Sequence, residues 1–418
     1  MTRVSRWDYP ESVTTKCQAL IRPTVLVAGV AGSGKSTLAM ALAQELGLPM
    51  LDLDTLTNPL LDALPVSLLA EHWLSPAHGT AVRDGRYGAL RGVAAQVVAT
   101  AGGAVLVAPF TAELAGGDAW VRLRTALAPT DPLVVWIRGD AELFARRRGQ
   151  RAAERDRHRP DGPAPVPPAV DHLTVDADLT TAQQVFRVRR ALGDRIPVAP
   201  DAPIFGLDVD ALLFDLDGTL ADSTASVARC WDRLVREFGA APALVQANHG
   251  QPADVLVGKL VGPDRQAAGR ARIRQLEIED APSIDRIPGA AELFSSVPES
   301  RRAIVTSGVR ELAAARLRAA GLPIPATMVT FDDVTRGKPD PEPYLLAASR
   351  LGVDPARCLV FEDAPAGIAS ARAAGCRVVA VLGTAPADEL VGAELIVDAL
   401  DRLTVVPHGS SLRLAFTG

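Results

Sequence analysis

The octapeptide Gly29-Val30-Ala31-Gly32-Ser33-Gly34-Lys35-Ser36 constrains this chain more than any other stretch. It directly follows the apolar run Thr24–Ala28 and precedes the helix-patterned Thr37–Leu46. Glycines at that spacing let backbone N–H groups turn inward around an anion, and the following helix N-terminus adds its dipole. A strand, a glycine turn and a helix in this order belong to a parallel sheet covered by helices. The alternation continues downstream. Pro49–Leu53, Ala104–Ala108, Leu133–Ile137 and His172–Val175 read as strands, and Thr181–Leu192 as a closing helix.

A chain of 418 residues with 48% hydrophobic content is too long for one core and apolar enough for two. The Pro-rich stretch Arg159–Val170 reads as an exposed loop. The domain boundary is predicted at Asp194–Gly206, where Pro197, Pro200 and Pro203 interrupt any periodicity. Residues 1–21 are then an N-terminal tail, 22–193 a first domain, 194–206 a linker and 207–418 a second domain. In the second domain Ala211–Phe214, Ala303–Val305, Cys358–Phe361 and Arg377–Val381 read as strands. A helix-patterned insertion, about 223–287, separates the first two; within it Val227, Trp231, Leu234, Val235 and Phe238 recur at helical spacing. The fold class predicted is α/β, with two doubly wound parallel-sheet domains.

Charge and composition exclude several classes. The net charge of -5, from 44 basic and 49 acidic residues, argues against a nucleic-acid partner. No apolar run reaches the roughly 18–20 residues that a membrane span requires. Residues 1–16 carry no signal-peptide core. The cysteines Cys17, Cys230, Cys358 and Cys376 lack metal-ligand spacing and disulfide density, so reduced thiols and a cytoplasmic location are expected.

The second domain holds four separated signals. Asp215-Leu216-Asp217-Gly218-Thr219 directly follows Ala211–Phe214, at a strand tip, where ligands bind in such sheets. Gly218 permits the turn away from the strand. Thr306-Ser307-Gly308 also follows a strand; Lys338 lies in Gly337-Lys338-Pro339-Asp340-Pro341; and Glu362-Asp363 ends another strand. Ser307 and Gly308 fit either a turn or contact with phosphate oxygens.

In this order the four signals resemble the haloacid dehalogenase superfamily over nearly all of residues 207–400, with its Rossmann-like fold and helical cap. Residues 336–344 and 361–368 look like its glycerol-3-phosphatase and 2-deoxyglucose-6-phosphatase branch, and His249-Gly250 is similar to a cap element there. The resemblance implies a phosphatase working through an aspartyl-phosphate. Asp215 is the implied nucleophile and Asp217 the implied proton donor and acceptor. Mg2+ is held by Asp215, the Asp217 backbone carbonyl and Asp363, with Glu362 supporting from behind. Lys338 and Thr306 hold the phosphoryl oxygens. His249 has either a surface role or contact with substrate in the cap. A cap of this length implies a small sugar or polyol phosphate.

The first domain satisfies the Walker A pattern, which implies a P-loop NTPase fold that binds ATP. Gly29, Gly32, Ser33, Gly34 and Thr37 would surround the phosphates, Lys35 would reach the β/γ-phosphates, and Ser36 would bind Mg2+. Asp52 and Asp54, at the end of the next strand, resemble the carboxylate pair of shikimate and gluconate kinases. That resemblance implies Asp52 supporting magnesium and Asp54 contacting the acceptor hydroxyl. Arg147, Arg151 and Arg155, with Arg148 beside them, line one side of a helix and suit either an ATP lid or a solvated face. Gluconate kinases carry cysteine-serine-alanine-leucine-lysine after the third strand, whereas this chain has Pro109-Phe110-Thr111-Ala112-Glu113, which argues against gluconate as acceptor.

The expectation is a bifunctional small-molecule enzyme, kinase first and phosphatase second. Two rival readings are a phosphatase with a non-catalytic ATP-sensing domain, and a polynucleotide kinase-phosphatase, which the acidic charge and long cap oppose.

Overall fold

The computed structural model describes residues 22–64, 73, 79–151, 166–240 and 253–417. They fall into two compact units divided between Asp194 and Arg195.

In the first unit the described strands are β1 (Val25–Ala28), β2 (Met50–Asp52), β3 (Val105–Val107), β4 (Leu133–Arg138) and β5 (Leu173–Asp176). They form a parallel sheet in the order β2-β3-β1-β4-β5. Both faces are covered, so β1 and β3 are buried throughout and read as unbroken apolar runs rather than alternating ones. The helices are α1 (Lys35–Leu46), α2 (Leu53–Asp62), α3 (Gly79–Ala101), α4 (Gly117–Leu127), α5 (Ala141–Arg151) and α6 (Thr181–Ala191). Asp52 caps α2, its side chain accepting from the N–H groups of Asp54 and Thr55. Thr180 and Gln183 form a capping box on α6.

The second unit has the six-stranded parallel order β10-β9-β6-β11-β12-β13. Its strands are β6 (Ala211–Phe214), β9 (Arg302–Val305), β10 (Met328–Val329), β11 (Cys358–Glu362), β12 (Arg377–Val381) and β13 (Leu395–Val397). Phe214 stacks on Phe361 with ring centroids 5.0 Å apart and meets Phe294 edge-on at 5.3 Å. The chain leaves for the insertion and returns through a two-residue antiparallel pair, β7 (Ala221–Asp222) with β8 (Asp285–Arg286). Between them lie α7 (Thr224–Phe238), α8 (Ala253–Leu260) and α9 (Gln266–Asp280). These helices bury a small core of their own, including Trp231, Leu234, Val257, Ile273 and Leu276. The remaining helices are α10 (Ala290–Ser296), α11 (Arg310–Ala319), α12 (Glu342–Leu351) and α13 (Pro365–Ala373).

The α/β architecture agrees with the sequence. Within the expected linker, 194–206, residues from Arg195 on pack against the second unit. Val198 and Ile204 join the core of the second unit. Arg195 spans Asp398 and Asp401, with its shortest contact to each at 2.6 Å. Prolines there mark a short 3-10 turn, Pro203–Gly206, within packed chain. Two short strands, β10 and β13, escaped the sequence reading. So did the C-terminal hairpin β14 (Leu403–His408) with β15 (Ser411–Phe416). Its Leu403, Val405, Leu412 and Leu414 point into the core at a two-residue period. The expected tail, 1–21, and most of the expected Pro-rich loop lie outside the described residues. No helix among those described is long and apolar enough to cross a membrane.

Asp398 is buried, and Arg195 is its charged partner. Arg195→Ala is therefore expected to destabilise the second unit by about 3 kcal/mol. Native-state hydrogen exchange at the β6 and β11 amides would read that loss.

Candidate active site

The first strand tip of the second unit carries Asp215, whose backbone N–H donates to the Phe361 carbonyl at 2.9 Å. β6 lies between β9 and β11, so the ends of all three strands converge where the strand order reverses. Beyond Asp215 the chain turns at Gly218, with φ +81°. A Cβ there would lie 1.9 Å from Asp363 Oδ2, so only glycine allows so close an approach.

Lys338 uses all three ammonium donors. Nζ donates to Asp215 Oδ1 at 2.5 Å, Glu362 Oε1 at 2.6 Å and the Val305 carbonyl at 2.8 Å. Burial opposes its charge, but the Asp215 and Glu362 carboxylates outweigh that and raise its pKa. Glu362 is equally committed. Oε1 also accepts from Tyr344 Oη at 2.9 Å, and Oε2 accepts from the N–H groups of Asp363 and Ala364 at 2.9 and 3.2 Å. Those four bonds occupy about all the lone-pair sites a carboxylate has. Gly367 closes the back of the site, since a Cβ there would fall 1.6 Å from Glu362 Oε1.

Asp215, Glu362 and Asp363 place carboxylate oxygens within 4.8 Å of one another, all buried. Burial pushes the Asp215 carboxyl well up, with Glu362 and Asp217 adding to the shift and Lys338 opposing it. Asp363 is raised too, by burial first and then by Asp215 and Glu362. Three buried carboxylates exceed the charge of one ammonium, and hard oxygen donors suit a hard divalent cation. With Glu362 saturated, Asp215 and Asp363 are the side chains that fit it.

Asp217 stands apart from Lys338. Its Oδ2 pairs with Arg316 Nη1 at 2.7 Å and lies 3.5 Å from Thr306 Oγ1; its Oδ1 is buried without a hydrogen-bond partner among the described residues. Arg316 comes from α11 and is itself buried. Its Nη2 is 3.5 Å from Glu277 Oε1, on α9 of the insertion. A cavity of about 240 Å3 includes Asp215, Asp217, Thr306, Ser307, Gly308, Lys338 and Asp363, with Trp231 and Glu277 from the insertion. The structure thus brings together every site residue expected from the second domain except His249, which lies outside the described residues. Arg316, Glu277 and Tyr344 were missed. Nothing in the sequence separates Arg316 from Arg310 and Arg318 on the same helix.

In the first unit a cavity of about 230 Å3 is lined by Gly32, Gly34, Lys35, Ser36, Thr37, Asp52, Asp54 and Arg147. Lys35 Nζ donates to the Val30 carbonyl at 2.9 Å, and Ser36 Oγ to Asp52 Oδ2 at 2.9 Å. Gly29 and Gly32 take φ of +151° and +87°, and a Cβ on Gly32 would meet the Phe144 carbonyl at 2.4 Å. Ser33 is buried beside Gly29. Asp54 pairs at 2.6 Å with Arg86, an unpredicted residue that also donates to Thr57 and Asn58. Arg147 donates to the Ala177 carbonyl and Arg148 to the Ala31 carbonyl, which ties α5 to the glycine turn. The side chain of Arg151, and Arg155 altogether, lie outside the described residues. The departing stretch has structural duties. Phe110 is fully buried with its N–H donating to Tyr87 Oη at 2.9 Å, and buried Glu113 pairs with Arg83 at 2.8 Å.

Comparison with known proteins fits this geometry. A family profile described as haloacid dehalogenase-like hydrolase matches residues 209–375. Hexitol phosphatase A of Escherichia coli (strain K12) is 42% identical over 205 residues, covering 47% of this chain and 95% of that protein. The chain belongs to the haloacid dehalogenase-like hydrolases. Validoxylamine A 7'-phosphate phosphatase of Streptomyces hygroscopicus subsp. limoneus is 37% identical over 45% of this chain and 92% of its own. Glycerol-1-phosphate phosphohydrolase 2 of Saccharomyces cerevisiae is 36% identical over 46% and 82%. The first unit carries a second match, to an AAA domain, over residues 25–164.

Gly218→Ala would push a methyl group onto Asp363 and strain the turn. In this haloacid dehalogenase-like hydrolase it is expected to weaken Mg2+ or Mn2+ binding by about 10–100-fold, measured by titration calorimetry on the full chain.

Proposed function

We propose that the second unit is a Mg2+-dependent phosphatase of a small sugar or polyol phosphate, and that the first unit is an ATP-dependent kinase of a small hydroxylated metabolite. The observation that carries the phosphatase reading is Lys338, buried between Asp215 and Glu362 with Asp363 alongside. It presents one oriented carboxylate at the tip of a central strand. The similarity to a hexitol phosphatase and to a glycerol-1-phosphate phosphohydrolase supports the substrate class.

In this reading an Asp215 carboxylate oxygen attacks phosphorus, and the bond from phosphorus to the ester oxygen breaks. The ester oxygen takes a proton from Asp217 and leaves as the alcohol. Asp217 then removes a proton from water as it attacks the aspartyl-phosphate, which releases inorganic phosphate and restores Asp215. Thr306 donates to a phosphoryl oxygen, and Lys338, its three donors held by Asp215, Glu362 and the Val305 carbonyl, offsets phosphoryl charge through its own charge; Ser307 and Gly308 border the same cavity. Bound Mg2+, held by Asp215, Asp363 and the Asp217 carbonyl, would offset the negative charge of nucleophile and phosphoryl group.

For the first unit the support is the Ser36–Asp52 hydrogen bond beneath the glycine turn, with Lys35, Arg147 and Asp54 around one cavity. Gly29, Gly32, Ser33, Gly34 and Thr37 would take the ATP phosphates, Ser36 and Asp52 the magnesium, and Asp54 the acceptor hydroxyl. The sensor reading keeps a specific basis, since Phe110 and Glu113 spend the departing stretch on packing.

Wild-type protein should release phosphate from glycerol 1-phosphate or hexitol phosphates, with the rate abolished by a chelator and restored by Mg2+. Asp215→Asn should lower that rate by about 10^3-fold or more; undiminished release in this variant would overturn the nucleophile assignment. Lys35→Ala should abolish ATP turnover with a carbohydrate acceptor and leave phosphate release unchanged. A phosphatase rate that follows ATP concentration in wild type, but not in Lys35→Ala, would favour the sensor reading.

A further inference from the structure

We propose that Arg316 and Glu277 form a hydroxyl-recognition subsite, selecting a leaving alcohol that is uncharged and bears a second hydroxyl next to the phosphoester carbon. This rests on the phosphatase reading above and names the substrate feature that the same site reads.

Arg316 belongs to α11, beneath the insertion, and Glu277 to α9, within it. Both are buried, at 4% and 8% exposure, and both border the cavity that holds Asp215. Arg316 commits Nη1 to Asp217, yet Nε and Nη2 are buried without a hydrogen-bond partner among the described residues. Nη2 stands 3.5 Å from Glu277 Oε1, outside the range of a proper N–H···O bond. Leaving two donors of a buried guanidinium unsatisfied is costly. The cost is understandable where a ligand completes the bonds.

A hydroxyl is the group that fits. It can accept from Arg316 and donate to Glu277 at once, since it has one donor and two acceptor sites. Its position follows from Asp217. Arg316 Nη1 holds Oδ2, so the guanidinium lies directly beside the carboxyl that gives its proton to the departing ester oxygen. Arg316 then reaches from that point to Glu277, so the hydroxyl on the neighbouring carbon falls between the two. A second phosphate or a carboxylate there would face the Glu277 carboxylate instead. Val227, Trp231 and Leu256, which border the same cavity, suit the carbon chain of the alcohol.

The test compares 1,2-propanediol 1-phosphate with propyl phosphate, which lacks only the neighbouring hydroxyl, using the full chain with Mg2+. Wild type should favour the diol phosphate by about 10-fold or more in kcat/KM. Glu277→Ala should bring that ratio below about 3-fold, chiefly through the diol substrate, whereas Glu277→Gln, which keeps an acceptor oxygen, should retain most of it. A wild-type ratio near one, or equal losses on both substrates in Glu277→Ala, would overturn the subsite. Hydrolysis of either substrate, and its loss in Asp215→Asn, reports the underlying chemistry separately. If wild type hydrolyses neither, the phosphatase reading falls and the subsite with it.

Discussion

A lysine ammonium buried among carboxylates organises the second unit. Lys338 meets Asp215, Glu362 and the Val305 carbonyl at once, so three strand ends converge on one nitrogen. Burying a charge is costly unless it is paired and fully hydrogen-bonded. That condition makes the surroundings exacting. Glu362 must be held by Tyr344 and two backbone N–H groups, and Gly367 must lack a side chain for the carboxylate to sit where it does. The arrangement fixes one oxygen of Asp215 and gathers three buried carboxylates near a single ammonium, a donor set that suits a divalent cation.

The first unit builds its site by the same rule of sheet topology. β1 lies between β3 and β4, so the glycine turn after β1 opens at the point where strand order reverses. Asp52 serves two ends there. One carboxylate oxygen caps α2, and the other accepts from Ser36 beside the turn. Glycines at 29, 32 and 34 adopt positive φ, which lets the loop stay close to α5 and to Ser33.

Much of this was legible in the sequence, because the strands that carry the motifs are short, wholly buried runs ending in polar residues. Ala211–Phe214 and Arg377–Val381 were read to the residue. What escaped was of two kinds. β10 has two residues, too few for any period, and β13 has three. The hairpin β14–β15 does alternate, but its apolar face is only intelligible once the core it covers exists. The prolines of residues 194–206 resembled a linker, while the Arg195 contacts with Asp398 and Asp401 span about half the chain's length and leave no local trace.

The motifs behind the proposed phosphate chemistry are written in local spacing, since a glycine turn after a strand or paired aspartates at a strand tip depend on residues adjacent in the chain. Tertiary structure decided which other side chains face those motifs. Arg316 and Arg310 are alike on α11, but the first is buried against Asp217 and the second pairs near the surface with Asp333. Glu277 and Arg86 meet their aspartate-bearing sites only when separate helices pack together. Burial and partners are properties of the folded neighbourhood, and they determine which of several identical charges is held in the site.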